Sequence, residues 1–257
     1  MCEQKQTPPV KVEVKNLTKK FGDLLVLDNI SFDVYQGDLL CVVGPTGCGK
    51  TTFLNSLTKI YDITSGQILL DGKPVDPKTN NIAYIFQGDS TMPWLTVEQN
   101  VAFGLDIKHV PKARRDELVA KYLDIVGLTK YKSYYPKRNQ RALRASSMLQ
   151  RVSIARAFAT EPELLLMDEP YGQLDIELRF KLEDELIKLW EMTKTTVIFI
   201  THNIEEAVYL GNRIMILTNK PTTVKRTVNN TLPRPRDIAS PDFVALRTEV
   251  TDAIKWW

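Results

Sequence analysis

Two kinds of apolar pattern divide the chain. From Val10 to Val14 the stretch VKVEV alternates apolar and polar residues, and ISFDVYQGD from Ile30 repeats the alternation. A period of two turns one strand face to a core and the other to water, so both stretches predict half-buried strands. GQILLDGKPV from Gly66 adds a hairpin with Asp71-Gly72 at its turn. Three other runs do not alternate: LLCVVG from Leu39, LLLMDEP from Leu164 and TTVIFITH from Thr195. Short unbroken apolar runs fit strands buried on both faces of a parallel sheet. Helical spacing lies between them. Phe53, Leu54, Leu57 and Ile60 share one helix face, and Leu178, Leu182, Leu186 and Leu189 share another.

The order therefore begins β-rich and becomes α/β. Between about Gly88 and Gln150 the buried-strand pattern stops. There Pro111 opens a helix, Leu118, Tyr122, Leu123 and Val126 give it an apolar stripe, and Gly127 ends it. This predicts a helical insertion within the α/β core. Near the end, Ser240-Pro241-Asp242 starts a terminal helix whose stripe is Phe243, Leu246, Val250, Ile254 and Trp257. Residues 1–10 are a polar, proline-containing tail.

Composition changes this picture little. The chain has 257 residues, 43% hydrophobic and 25% charged, ordinary for a globular protein with a sizeable core. A net charge of +3 is too small to suggest a nucleic-acid binder. Three cysteines, Cys2, Cys41 and Cys48, stand at no metal spacing, which points to a reducing compartment. No apolar run reaches the roughly 18 residues of a membrane span, and the start has no signal-peptide core. A role at a membrane would require a separate anchor.

Candidate chemistry begins at GPTGCGKTT: Gly44, Pro45, Thr46, Gly47, Cys48, Gly49, Lys50, Thr51 and Thr52. The spacing fits G-x-x-x-x-G-K-[ST], between a buried strand and a helix. Successive backbone N–H groups and the helix N-terminus offer positive charge to phosphates. Gly44 and Gly49 allow tight turns and close approach. Lys50 brings a full charge to the β- and γ-phosphates, and the Thr51 hydroxyl can ligate Mg²⁺. In LLLMDEP, Asp168 ends a buried strand where it can hold Mg²⁺ through water, and Glu169 can polarise an attacking water. Taken alone, Asp168 and Glu169 are solvated acids at a strand end; behind the phosphate loop they gain a role.

With these motifs in this order, the chain resembles the nucleotide-binding subunit of ATP-binding cassette (ABC) transporters over nearly its whole length. The resemblance implies a P-loop NTPase (RecA-like) core with an antiparallel β subdomain and a helical subdomain inserted. It implies a tail at 1–10, an ATPase domain at 11–220 with its helical subdomain at about 88–150, and an extension at 221–257. Phe21 in KKFG takes the place of the aromatic that stacks on adenine. Gln87 in YIFQGD takes that of the glutamine that touches Mg²⁺ and senses the membrane partner. Asp175 in YGQLD resembles the D-loop aspartate, and His202 in ITHNIEEA the switch histidine at the γ-phosphate. An ordinary apolar Phe21, a solvated Gln87 and a strand-end His202 are the plain alternatives. His109 receives no role, and Glu205 and Glu206 read as favourable charge at a helix N-terminus. STMPWLTVEQNVAFGL and RPRDIASPDFVALRTEV resemble importers of the nitrate/sulfonate/taurine type. Met92, Pro93 and Trp94 would then form part of a socket for the permease, unless Trp94 packs inside its own domain.

One motif departs from the family. The expected Leu-Ser-Gly-Gly signature before QRVSIARAFA is replaced by Arg144, Ala145, Ser146 and Ser147. In the family those groups contact the γ-phosphate held by the opposite subunit, so the defect acts on a partner's site. Ala145 lacks a hydroxyl donor. A lost charge-assisted bond is worth about 1–3 kcal/mol, or roughly one to two decades in rate. From Lys130 to Arg151 there are seven Lys/Arg and no Asp/Glu, and Arg138, Arg141 or Arg144 could reach phosphate or lipid headgroups if that face is not simply solvated.

The reading that follows is an importer ATPase. It would bind ATP and Mg²⁺ and pair with a second cassette, identical or not. It would couple to transmembrane permease subunits at the cytoplasmic face and serve an extracytoplasmic solute-binding protein indirectly, with no nucleic acid partner. The alternative is a nucleotide-gated regulatory subunit with weak or no hydrolysis. A repair or translation factor ranks lowest, since no tandem cassette or long coiled coil occurs.

Overall fold

The computed structural model describes residues 8–88, 90–136, 146–172 and 174–254. In chain order the elements are β1 (Val10–Phe21), β2 (Leu24–Tyr35), β3 (Leu39–Val43), α1 (Lys50–Leu57), β4 (Ser65–Leu70), β5 (Lys73–Pro74), β6 (Ile82–Ile85), α2 (Val97–Ile107), α3 (Lys112–Ile125), α4 (Ser146–Ala159), β7 (Leu164–Asp168), α5 (Ile176–Thr193), β8 (Thr196–Ile200), α6 (Ile204–Leu210), β9 (Arg213–Leu217), β10 (Val224–Asn229) and α7 (Pro241–Ile254). They fall into two compact units, one of residues 1–80 with 196–257 and one of residues 81–195.

The first unit holds an antiparallel sheet in the order β2-β1-β4-β5. Val12 and Val14 of β1 are buried, as the alternation predicts, whereas Val10 is exposed; Leu17, past a bulge that shifts the phase, is buried as well. Lys11 is buried too. Its stem covers apolar surface while its ammonium pairs with Asp71 at 2.6 Å. The β4–β5 turn places Asp71 and Gly72 at φ 50° and 74°, the two left-handed positions of a tight hairpin. The same unit holds parallel strands β9-β3-β8, with β10 antiparallel on β9. Every residue of β3 and β8 is buried, which accounts for the unbroken apolar runs. Helix α1 buries Phe53, Leu54 and Leu57, but Ile60 is exposed. The helix stops at Leu57 and Lys59 turns left-handed at φ 54°, so the expected stripe ends one turn early. In α7, Phe243 and Val250 are fully buried, Leu246 and Ile254 only half, and Trp257 lies outside the described residues.

The second unit contains parallel strands β6 and β7 with helices α2 to α5. Leu118, Tyr122 and Leu123 of α3 are buried as their spacing predicts, and Val126 caps that helix. Leu182, Leu186 and Leu189 are the buried face of α5, with Leu178 half-buried. The start of α2 is fixed by a capping box between Thr96 and Gln99. Among the described residues no helix is long and apolar enough to cross a membrane.

The antiparallel sheet depends on one glycine. β1 bulges between Lys15 and Thr18 where it pairs with β4, and Gly66 faces that bulge at φ 91°. A Cβ there would stand 2.3 Å from Asn16 O and 2.5 Å from Lys15 O. Gly66→Ala is therefore expected to cost more than about 3 kcal/mol in urea unfolding, because backbone must move. Gly72→Ala, also left-handed but with open space, is expected to cost only about 1–2 kcal/mol.

Candidate functional site

In the first unit three parallel strands end at the same edge. Val42 pairs with Ile200, and Val43 with Ile216. The segments that leave this edge are Gly44–Gly49 after β3, Thr201–Asn203 after β8 and Thr218–Thr222 after β9. The carboxyl ends of parallel strands are where α/β sheets bind ligands.

The loop after β3 is built around its glycines. Gly49 lies at φ 110° and opens α1 with no side-chain cap, and the first turn of α1 contains no acid. No N-cap side chain or first-turn acid competes with an anion for this helix start. Position 49 must also be small, because a Cβ would meet Val26 Cγ1 at 2.8 Å. Thr222, fully buried, donates its hydroxyl to Cys48 O and pins the loop from behind. Lys50 is 6% exposed, and its Nζ lies 3.0 Å from both Gly44 O and Pro45 O. Those carbonyls hold the ammonium at the mouth of the loop. Thr46, Gly47 and Thr51 are exposed, Pro45 and Thr52 half-buried, and Gly44 buried. Burial pushes the Cys48 thiol up, against the opposing charge of Lys50, so Cys48 stays a neutral packing group. A cation, an uncapped helix start and a cradle that a side chain would fill together fit a polyphosphate.

Phe21 ends β1 with 43% of its surface exposed, so it is not an ordinary core residue. Its ring meets Tyr61 edge-on at 5.4 Å, and Lys19 Nζ stands 4.6 Å over it. His202 is exposed on the turn between β8 and α6. Asn203 caps that helix through Glu205 N and Glu206 N, and Glu205 pairs with Arg247 at 2.9 Å. Glu205 and Glu206 do occupy the first turn, where the helix dipole favours them.

The second unit has its own convergence. β6 and β7 are parallel, with Ile85 opposite Met167, so Gln87 and the Asp168-Glu169 pair leave the same edge. Asp168 is 4% exposed, with the Tyr84 hydroxyl 3.5 Å from its Oδ2. Glu169 is half-buried at φ 44°, and Gln87 Nε2 donates to its Oε2 at 3.4 Å. A left-handed non-glycine residue beside a buried acid marks stored strain at a candidate site. Asp175 is the N-cap of α5, accepting from Leu178 N at 2.9 Å. No cluster of three or more His, Cys, Asp or Glu that could hold a metal ion occurs among the described residues.

Trp94 is 70% exposed, so it does not pack inside its own domain. It rides on a loop that the buried Asn100 holds through four hydrogen bonds, to Met92 N, Met92 O, Leu95 O and Thr96 O. His109 lies just beyond the C-cap of α2, at φ 53°. Ala145 and Arg138, Arg141 and Arg144 lie outside the described residues, and Ser146 and Ser147 open α4. Five contributors went unread in the sequence: Lys19, Tyr61, Tyr84, Asn100 and Thr222. None carries a local signal, since each acts on a residue that only the fold brings near.

The loop and sheet define a P-loop nucleotide-binding protein of the ABC cassette fold. The ABC transporter family model matches residues 27–172. An uncharacterized ABC transporter ATP-binding protein of Methanocaldococcus jannaschii is 42% identical over 250 residues, 96% of this chain and 92% of that one. An aliphatic sulfonates import ATP-binding protein, SsuB, of Bacillus thuringiensis is 40% identical over 92% of this chain and 91% of its own. A solved dimeric ATP-binding cassette in a post-hydrolysis state, bound to ADP and Pi, superposes with a TM-score of 0.73 at 28% identity, over 86% of this chain and 100% of that one. The chain belongs to the ABC transporter family, as an ATP-binding subunit with ATPase activity.

Thr222 gives the sharpest test of how the loop is supported. Thr222→Val keeps the shape but leaves Cys48 O buried without its donor. The expected loss is about 1–2 kcal/mol in chemical unfolding, with ATP affinity several-fold weaker by calorimetry.

Proposed function

We propose that this chain is the ATP-hydrolysing subunit of an importer, seated peripherally on the cytoplasmic face of the membrane against separate permease subunits. The observation that carries the coupling is Trp94. A large aromatic displayed on a loop stiffened by a buried asparagine is suited to a partner's pocket. The import reading, and a small anion, sulfonate or vitamin precursor as cargo, draw on the relatives named for aliphatic sulfonates import. A second cassette completes the assembly, as in the dimeric solved relative. A solute-binding protein serves it indirectly, and no nucleic acid takes part. Residues 11–220 form the ATPase domain in this reading, with the helical subdomain at about 88–150 and the extension at 221–257.

Each side chain then has a task. Phe21 stacks on the adenine, with Tyr61 bracing its ring. Gly44 to Thr52 wrap the phosphates, and Lys50 neutralises the β- and γ-phosphates. Thr51, Gln87 and Asp168 would hold Mg²⁺, which when bound would offset phosphate charge. Glu169 orients the attacking water, and His202 contacts the γ-phosphate as charge moves. The signature at Arg144 to Ser147 weakens the site completed on the second cassette.

Phosphate release and nucleotide binding test these roles together. Glu169→Gln is expected to lower turnover by about 100-fold or more while ATP still binds. Lys50→Ala is expected to lose binding as well, and wild-type protein with no affinity for Mg-ATP would sink the reading. A second measurement concerns the signature. Replacing Arg144→Leu, Ala145→Ser, Ser146→Gly and Ser147→Gly together is expected to raise turnover by less than about tenfold. A gain of about 100-fold would instead favour a regulatory subunit that hydrolyses weakly.

A further inference from the structure

Helix α6, directly after His202, is only seven residues long. A helix this short is not stable alone, and its last carbonyls have no partners within it. Many helices solve this with a left-handed glycine. Gly211 stands at the right place but is extended, at φ −71° and ψ 137°. It is small for another reason: a Cβ there would meet Ala207 O and Arg213 O at 2.9 Å.

Side chains from further along the chain take the carbonyls instead. Arg236 Nη1 lies 2.9 Å from Val208 O, 2.7 Å from Tyr209 O and 2.9 Å from Gly211 O. Arg234 donates to Leu210 O and to Asn212 Oδ1, and Asn230 Nδ2 donates to Val208 O at 2.8 Å. All four carbonyls from Val208 to Gly211 are thus taken by residues 230–236. Arg236 is 8% exposed, and burial followed by the charge of Arg234 draws its pKa down to about 10. It remains protonated at neutral pH, opposite the negative end of the helix dipole. At the other end of α6, Arg247 of α7 bonds Glu205 Oε2 at 2.9 Å. Helix α7 is itself anchored by fully buried Phe243 and Val250.

His202 sits between two fixed points. Strand β8 is held in its sheet, with Thr201 N bonded to Val42 O at 3.2 Å. Asn203 N bonds Thr201 Oγ1 at 2.9 Å and the Asn203 side chain caps α6. Where the imidazole points therefore depends on where α6 begins and how it is rotated. The rigid guanidinium plane, with Nη1 among three of these carbonyls and Nε on Leu232 O at 3.4 Å, fixes both, which a point charge on a flexible stem does not.

The geometry points to Arg236, supported by Arg234 and Arg247, as a positioning residue for His202 in ATP hydrolysis. The C-terminal segment is then a brace that holds the switch histidine where γ-phosphate charge develops. The inference rests on the reading of His202 as the γ-phosphate contact.

The test uses the full chain and four variants: Arg236→Lys, Arg247→Met, His202→Ala and the double variant His202→Ala with Arg236→Lys. Arg236→Lys is expected to lower kcat about tenfold while KM for ATP changes less than about twofold. In the His202→Ala background the same change is expected to cost less than about twofold, because the group it positions is gone. The half-exposed Arg247→Met keeps the test open should Arg236→Lys fail to fold, with kcat expected about threefold lower. A second readout does not use activity. The chain has two histidines, so each ring gives its own NMR signal. In Arg236→Lys and Arg247→Met the His202 signal is expected to shift or broaden while that of His109 stays in place. Equal losses of kcat with and without His202, or an unmoved His202 signal, would overturn the brace and leave Arg236 a plain helix cap. If His202→Ala leaves kcat unchanged, the assignment of His202 fails, whatever the ring signal reports about Arg236.

Discussion

The absence of a side chain at Gly49 is the constraint on which the nucleotide loop depends. At φ 110° the backbone turns straight into α1, with no N-cap side chain and with Val26 of β2 filling the space a Cβ would need. One residue earlier, Cys48 gives its carbonyl to Thr222, and one residue later Lys50 rests on Gly44 and Pro45. The antiparallel sheet, the parallel sheet and the loop after β9 therefore meet at three consecutive residues. A loop supported on so many sides is preorganised: its amides need not be ordered again when charge arrives, which is the condition for strong electrostatic binding.

The second unit handles its acids differently. Asp168 is buried and stands beside the Tyr84 hydroxyl, whereas Glu169 is half-exposed and left-handed. A buried carboxylate keeps its place but is costly unless something positive faces it. A half-exposed one, turned out by its backbone, can reach water. Adjacent residues on one strand end thus acquire two environments from burial and φ alone, which suits one to a cation and the other to a nucleophile. The cost of the left-handed turn, about 1–2 kcal/mol, is carried by the fully buried strand β7 before it.

Much of this was legible in the sequence where the requirement is local. The runs at β3, β7 and β8 are unbroken because every residue is buried, and the glycines and lysine of the loop answer to backbone geometry within nine positions. Ile60 misled because α1 ends at Leu57 without a glycine or proline to announce it. Lys11 read as a solvent position, yet its stem is buried and its charge meets Asp71, sixty residues away. Trp94 was open between packing and display, and only the fold, through Asn100, settled its exposure. Thr222 and Tyr61 had no periodicity or motif to betray them; their partners are chosen by tertiary contact. The signature at Ala145 was read by comparison with a family pattern, and it lies outside the described residues.

The C-terminal segment shows why a boundary drawn from motifs differs from one drawn from forces. Every nucleotide-binding motif ends by His202, so the residues beyond 220 read as an extension. Yet Thr222 holds the phosphate loop, β10 pairs along β9, and Arg234 and Arg236 close the helix that follows His202. Burying a guanidinium is expensive, and a glycine in the left-handed conformation would satisfy fewer carbonyls at lower cost. A guanidinium cap gains, besides satisfied carbonyls, rigidity and a fixed rotation of the helix. The end of the chain is thereby tied to two places in the first unit: to the loop after β3 through Thr222, and to the helix that follows His202 through Arg234 and Arg236.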